Sequence, residues 1–153
     1  HLLATLVVAF SMAPAHGRMQ HVTNRLFAAR QAVDVGGTLQ KASKVLQSIA
    51  WEIKGSLRQY DSAARFGGEE FALLLPETAL KGANLVAERL RQSINDIEFA
   101  GPLSGLKMTV SIGIATIPSD KVRSVSDLIR LADDALYAAK HNGRNRVESS
   151  TPA

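Results

Sequence analysis

Cysteine is absent from the chain, which excludes disulfides and thiolate metal sites and is compatible with a cytoplasmic setting. Aromatic residues make up only 5% of the sequence, too few for a base-stacking platform on single-stranded nucleic acid. Acidic residues are missing from a whole region: residues 1–33 contain neither Asp nor Glu. Long apolar runs are also lacking, and the apolar stretch at the start is far too short to span a bilayer. The net charge of +4 permits an anionic partner such as a nucleotide but is too small to argue for nucleic acid or a membrane surface.

What is present suits one domain with its own core: 153 residues, of which 46% are hydrophobic. The opening "HLLATLVVAFSMAPAHG" has the apolar run and "APA" of a signal peptide, but neither an initiator Met nor a basic leading segment. Leu2–Phe10 therefore reads as a buried strand. A start at His1 in mid-pattern predicts a domain, residues 1–153, cut from a longer protein, with a flexible tail over 149–153.

Residues 12–37 are ambiguous. Pro14 and Gly17 break the pattern, "RMQHVTNRLFAARQAV" is compatible with a helix, and Gly36-Gly37 marks a turn. Thr38 then caps a helix whose apolar face is Leu39, Ala42, Leu46, Ile49, Ile53 and Leu57. Ala63–Phe66, Gly67-Gly68 and Glu70–Leu75 read as strand, two-residue turn and strand, since favoured hairpin turns take positive φ. Thr78 caps a helix with Leu80, Ala83, Ala87, Leu90 and Ile94 on one face. Met108, Val110, Ile112 and Ile114 alternate as in a half-buried strand. Ser126 caps a last helix through Leu128, Leu131, Ala135, Leu136 and Ala139, Gly143 ends it, and Arg146-Val147 begins a short strand. The order β-α-α-β-β-α-β-α-β predicts an α+β sheet covered by helices.

Four segments, "RQYDSAARFGGEEFALLLPET", "AERLR", "TVSIGIA" and "ADDALYAAKHNGRNRV", occur in order and together resemble the GGDEF domain, the diguanylate cyclase family. The resemblance runs from about Leu39 to Val147. It implies a palm-like α+β fold of the nucleotidyl-cyclase type, with a central, mostly antiparallel sheet flanked by helices. Active members join two GTP molecules into cyclic di-GMP across a dimer. A 3′-hydroxyl attacks an α-phosphate and pyrophosphate leaves, which calls for metal ions and hard carboxylate ligands. By resemblance Gly67 and Gly68 line the GTP pocket, Glu69 is a Mg²⁺ ligand, and Glu70 is its acidic neighbour in the catalytic pair. Lys140 and Arg144, four apart near a helix end, hold the GTP phosphates, or are ordinary basic residues favoured there by the helix dipole. Arg58 and Asp61, the latter six residues before Gly67, resemble the family's RxxD product site, and Arg89 in "AER" matches its further arginine. Arginine can donate a bidentate pair to guanine O6 and N7, and a carboxylate can accept from guanine N–H groups.

The resemblance stops at the acids expected opposite the hairpin. Active members carry an Asp at the end of the first strand and another before the long helix. Here the strand end reads "VAFSMAP", and counting back from "LQSIA" puts those positions at Leu26 and Ala42-Ser43. One glutamate does not fix a two-metal site, because Mg²⁺ keeps its waters unless carboxylates and phosphates replace them. Three readings follow. The first is a signalling domain impaired as a cyclase that binds cyclic di-GMP through Arg58, Asp61 and Arg89. The second is a product-inhibited cyclase using Mg²⁺ and GTP, and the third is an interaction domain that binds no nucleotide. The expected partners are cyclic di-GMP, GTP, a second copy, and other domains of the longer protein, not nucleic acid. The expected location is the cytoplasm, or the cytoplasmic part of a membrane-anchored protein.

Overall fold

The computed structural model describes residues 4–14 and 35–150. The elements are β1 (Ala4–Pro14), α1 (Val35–Ser56), β2 (Ser62–Gly67), β3 (Glu70–Pro76), α2 (Leu80–Asn95), β4 (Met108–Ile117), α3 (Val125–His141) and β5 (Val147–Ser149), with a 3-10 turn at Gly101–Leu103. They form a five-stranded sheet in the order β2-β3-β1-β4-β5. All pairings are antiparallel except β4 with β5. The fold is the expected α+β sheet flanked by helices. Among the described residues no helix is long and apolar enough to cross a membrane. The helix expected within residues 18–33 lies outside the described residues.

Two apolar clusters sandwich the sheet. Ile49 and Ile53 of α1 and Ala83, Ala87, Leu90 and Ile94 of α2 pack on Phe71, Leu73 and Leu75 of β3 and on Met108, Val110, Ile112 and Ile114 of β4. On the opposite face Leu128, Ala132 and Leu136 of α3 pack on Ala115. Fully burying each Leu or Ile contributes roughly 1.5–3 kcal/mol, so α1 and α2 are held mainly by this layer.

The expected alternation in β4 misses half of its burial. Every residue from Met108 to Ala115 is buried. The small residues Thr109, Ser111, Gly113 and Ala115 do not face water; they form the smooth face on which α3 lies.

Several element ends differ from expectation. Strand β1 runs on to Pro14. Helix α1 starts at Val35 and takes Gly36, Gly37 and Thr38 inside it, so there is no Gly-Gly turn and no Thr38 cap. Its outer turn is poorly covered, and Leu39 is 65% exposed. Ala79, not Thr78, is the N-cap of α2, and the Thr78 hydroxyl donates instead to the Pro76 carbonyl at 2.9 Å. Ser124, not Ser126, caps α3, its hydroxyl accepting from the Asp127 N–H at 3.2 Å. Gly143 does end α3: its φ is 113°, and the Arg144 N–H reaches back to the Ala139 carbonyl at 3.0 Å, the six-to-one bond of a Schellman motif. Of the tail expected over 149–153, Ser149 lies in β5 and the Ser150 N–H donates to the Ile114 carbonyl at 2.8 Å, while residues 151–153 lie outside the described residues.

Candidate functional site

Candidate residues gather at the two ends of β2. The first group sits where α1 turns into the strand. The Asp61 N–H donates to the Arg58 carbonyl at 3.1 Å, and the Arg58 N–H donates to Asp61 Oδ2 at 2.8 Å. The R-x-x-D spacing thus closes a tight turn that the aspartate itself staples. Asp61 Oδ1 is left buried without a hydrogen-bond partner among the described residues. Arg89, one helix away on α2, donates through Nη2 to the Ser56 carbonyl at 2.9 Å. The structure therefore brings Arg58, Asp61 and Arg89 to one corner. Beside them a cavity of about 590 Å³ opens between α1 and β2, with Lys54, Arg58 and Arg65 on its wall and Ile53, Leu57 and Phe71 on its floor. That size is usual for small-molecule sites.

The second group is the hairpin at the other end of β2, about 20 Å along the strand at ~3.3 Å per residue. Its turn is one residue later than expected. Gly67 pairs with Glu70, so Gly68 and Glu69 make the loop, and a bulge falls between Arg65 and Gly67. Neither Gly67 nor Gly68 has positive φ, so the conformational reason expected for this pair does not hold. Space inside the chain does not require them either: a Cβ on Gly67 would sit 3.5 Å from Glu70 Oε2, and one on Gly68 would meet nothing within 4 Å. What the pair leaves is bare backbone open to the outside, the condition for close approach of a ligand. Arg65 ties the loop down, donating through Nε and Nη2 to the Gly68 carbonyl.

Glu69 is exposed and Glu70 half-buried. Helix α3 faces them. Burial first, then the Glu70 and Asp134 carboxylates, push the Asp133 carboxyl above the usual aspartate range, and Lys140 pulls it back. Asp133 was not singled out by sequence reasoning, since its partner Glu70 is distant in sequence. Lys140 is on α3, but Arg144 lies beyond the helix end with φ 58°, so the two do not share a helical face as expected. The Lys140 ammonium and the Arg144 guanidinium make no hydrogen bond or ion pair with a described side chain or carbonyl, which leaves two cationic heads open to an anion.

The family described as "Diguanylate cyclase, GGDEF domain" matches residues 39–146. The chain belongs to the GGDEF family. Diguanylate cyclase A of Treponema denticola is 41% identical over 106 residues, 69% of this chain and 28% of that protein. Diguanylate cyclase DgcM of Escherichia coli K12 is 43% identical over 108 residues, 70% of this chain and 25% of that protein. The chain thus spans about a quarter of the length of these curated relatives. In fold it is similar to the GGDEF domain of DgcB from Caulobacter crescentus, solved in complex with c-di-GMP, at TM-score 0.72 and 24% identity over 97% of this chain and 78% of that one. It is equally similar to the active GGEEF domain of a diguanylate cyclase from Vibrio cholerae, at TM-score 0.72 and 22% identity, covering 100% of this chain and 85% of that one.

Diguanylate cyclases of this family depend on Mg²⁺ when catalytic, and Mg²⁺ calls for carboxylates gathered beside the hairpin. The β1 residues paired with β3, Ala4 to Val8 against Pro76 to Ala72, include no carboxylate, and β1 is irregular between Val8 and Ser11. The other candidate position, Ala42-Ser43, lies inside α1, and Leu26 lies outside the described residues. Among the described residues no cluster of three or more His, Cys, Asp or Glu could hold a metal. These donors do not fit a two-metal site.

Proposed function

We propose that this GGDEF domain is a cyclic di-GMP-binding signalling module, impaired as a cyclase, whose ligand sits at Arg58, Asp61 and Arg89. One observation carries the reading: Asp61 Oδ1, at the corner the two arginines share, is buried with no hydrogen-bond partner among the described residues. Leaving such an oxygen unpaired costs about 1–3 kcal/mol, which a guanine N–H can recover on binding. The exposed Arg58 guanidinium supplies a planar fork for the Hoogsteen edge or a phosphate. The cavity beside the turn adds an apolar floor and further positive charge. Calorimetry with cyclic di-GMP tests it. Saturable binding by the chain, abolished in Arg58→Ala/Asp61→Ala, supports the module; equal binding by both proteins refutes it.

A second reading, a product-inhibited cyclase, draws on the open Gly68 backbone and on the Lys140 and Arg144 cationic heads, which make no ion pair among the described residues and suit GTP. Incubation with GTP and Mg²⁺ or Mn²⁺ followed by chromatography decides it, and absence of cyclic di-GMP from a dimeric sample sinks it. If neither nucleotide binds, the domain acts through protein contacts alone.

A further inference from the structure

Helix α2 carries two arginines that serve different ends of the domain. Arg89 reaches the Ser56 carbonyl beside the RxxD turn. Arg91, two residues on and therefore on another side of the helix, reaches the loop between α3 and β5. Its Nε and Nη2 form a fork on the Glu88 carboxylate at 2.9 and 2.6 Å, while Nη1 donates to Asn145 Oδ1 at 2.6 Å. Gln92 braces Glu88 from the next turn at 3.0 Å. The Arg91 side chain is 16% exposed, so this guanidinium is a fixed part rather than a floating surface charge.

The loop it grips is unusual in its backbone. Gly143, Arg144 and Asn145 follow one another at φ 113°, 58° and 47°. Glycine adopts positive φ freely and asparagine tolerates it, but arginine is rarely found there. A run of this kind persists only when its surroundings over-determine it. Main-chain bonds fix its two ends: the Arg144 N–H to the Ala139 carbonyl at 3.0 Å, and the Ile112 N–H to the Arg146 carbonyl at 2.9 Å. Side chains tie it as well: Asn142 and Arg146 donate to Glu148 of β5 at 3.2 and 3.4 Å, and between those two residues Asn145 is held by Arg91 of α2.

We propose that Arg91 is a positioning residue for the phosphate-binding Arg144: by gripping Asn145 it holds the positive-φ loop from which the Arg144 side chain projects. This rests on the reading of Lys140 and Arg144 as phosphate ligands. Lysine cannot replace Arg91, because one ammonium cannot hold a carboxylate in a fork and an amide oxygen on a third nitrogen together.

The test combines GTP calorimetry with hydrogen exchange of the 142–147 segment. Arg91→Lys and Asn145→Ala are expected to speed exchange there and weaken GTP binding about tenfold or more, with cyclic di-GMP affinity unchanged. Asn145→Asp keeps both an acceptor and tolerance of positive φ, so it retains affinity. Asn145→Gly relieves the backbone but removes the acceptor, so it loses affinity, a split that mere structural strain would not produce. Unchanged exchange in Arg91→Lys, or faster exchange with unchanged GTP affinity, overturns the positioning role. No GTP binding by the unsubstituted chain overturns the phosphate reading and this inference with it, whereas the exchange data report the clamp separately.

Discussion

A Cβ placed on Gly113 would lie 2.2 Å from the carbonyl oxygen of Ala132 and 2.3 Å from the Leu136 nitrogen. Helix α3 therefore rests its own backbone on the β4 backbone at the one position with no side chain. Such contacts cannot be relieved by a rotamer change. Gly113→Ala is expected to cost at least about 3 kcal/mol, the upper range for overpacking, because a helix must lift from the sheet. Urea denaturation measures it, and a midpoint within error of the parent would show that α3 does not approach so closely. Because α3 carries Asp133 and Lys140 toward the hairpin, the same substitution should also disturb that site.

The sequence reveals helices and their buried faces well, since Ala83, Ala87, Leu90 and Ile94 repeat at helical spacing and are all buried. The hairpin and the R-x-x-D turn were legible for a similar reason: both are local, and short spacing determines them. What escaped is non-local. Gly113 and the small residues beside it read as the wet side of a strand, because only tertiary packing tells that α3 covers them. The Arg91–Asn145 bond joins positions 54 residues apart, and no periodicity signals it. The start of α3 was misplaced by two residues because Ser124 and Ser126 lie close together, and either can accept the first N–H bonds until the turn geometry chooses.

Binding of cyclic di-GMP should separate the two residues of the R-x-x-D turn. Arg58→Ala removes an exposed donor whose side-chain bond, to the Tyr60 hydroxyl, is long at 3.4 Å, so folding is preserved while affinity falls by roughly 1.5–3 kcal/mol, the usual worth of a charge-assisted hydrogen bond. Asp61→Ala also loses the 2.8 Å staple to the Arg58 N–H, so it should lower both affinity and stability, the latter by about 1 kcal/mol. Paired calorimetry and thermal melts check this. Equal melting points for the two variants would mean that Asp61 does not hold the turn.

Ser124 and Ser126 offer a clean contrast. Ser124→Ala removes the cap on the Asp127 N–H and is expected to cost about 1 kcal/mol, while Ser126→Ala should be within measurement error. The hydroxyl of Ser124 also donates to Asp127 Oδ2 at 2.9 Å, and this bond, followed by one from the Arg123 N–H, lowers the Asp127 pKa. A lowered carboxylate pKa stabilises the fold above the ordinary aspartate value and loses that contribution as pH falls through the folded value. The Ser124→Ala deficit should therefore narrow in acid. A deficit that is constant with pH would separate the cap from Asp127 ionisation.

Asp133 has the opposite sign. Burial, Glu70 and Asp134 raise its pKa while Lys140 opposes them, so the charged carboxylate is disfavoured in the folded state relative to the unfolded chain. The penalty is present at neutral pH and fades as pH drops through the raised folded value toward the unfolded one, near 3.9. Asp133→Asn should then stabilise the domain at pH 7, by less than about 0.5 kcal/mol because the side chain is more than a third exposed and its neighbours are screened. Near pH 3 the two proteins should melt together, and added salt at pH 7 should shrink the gap by screening Glu70 and Asp134. A Glu70→Gln background supplies the decisive control: if Glu70 contributes to the strain, Asp133→Asn gains less there than in the parent. An equal gain in both backgrounds would remove Glu70 from the account and with it the electrostatic link between α3 and the hairpin.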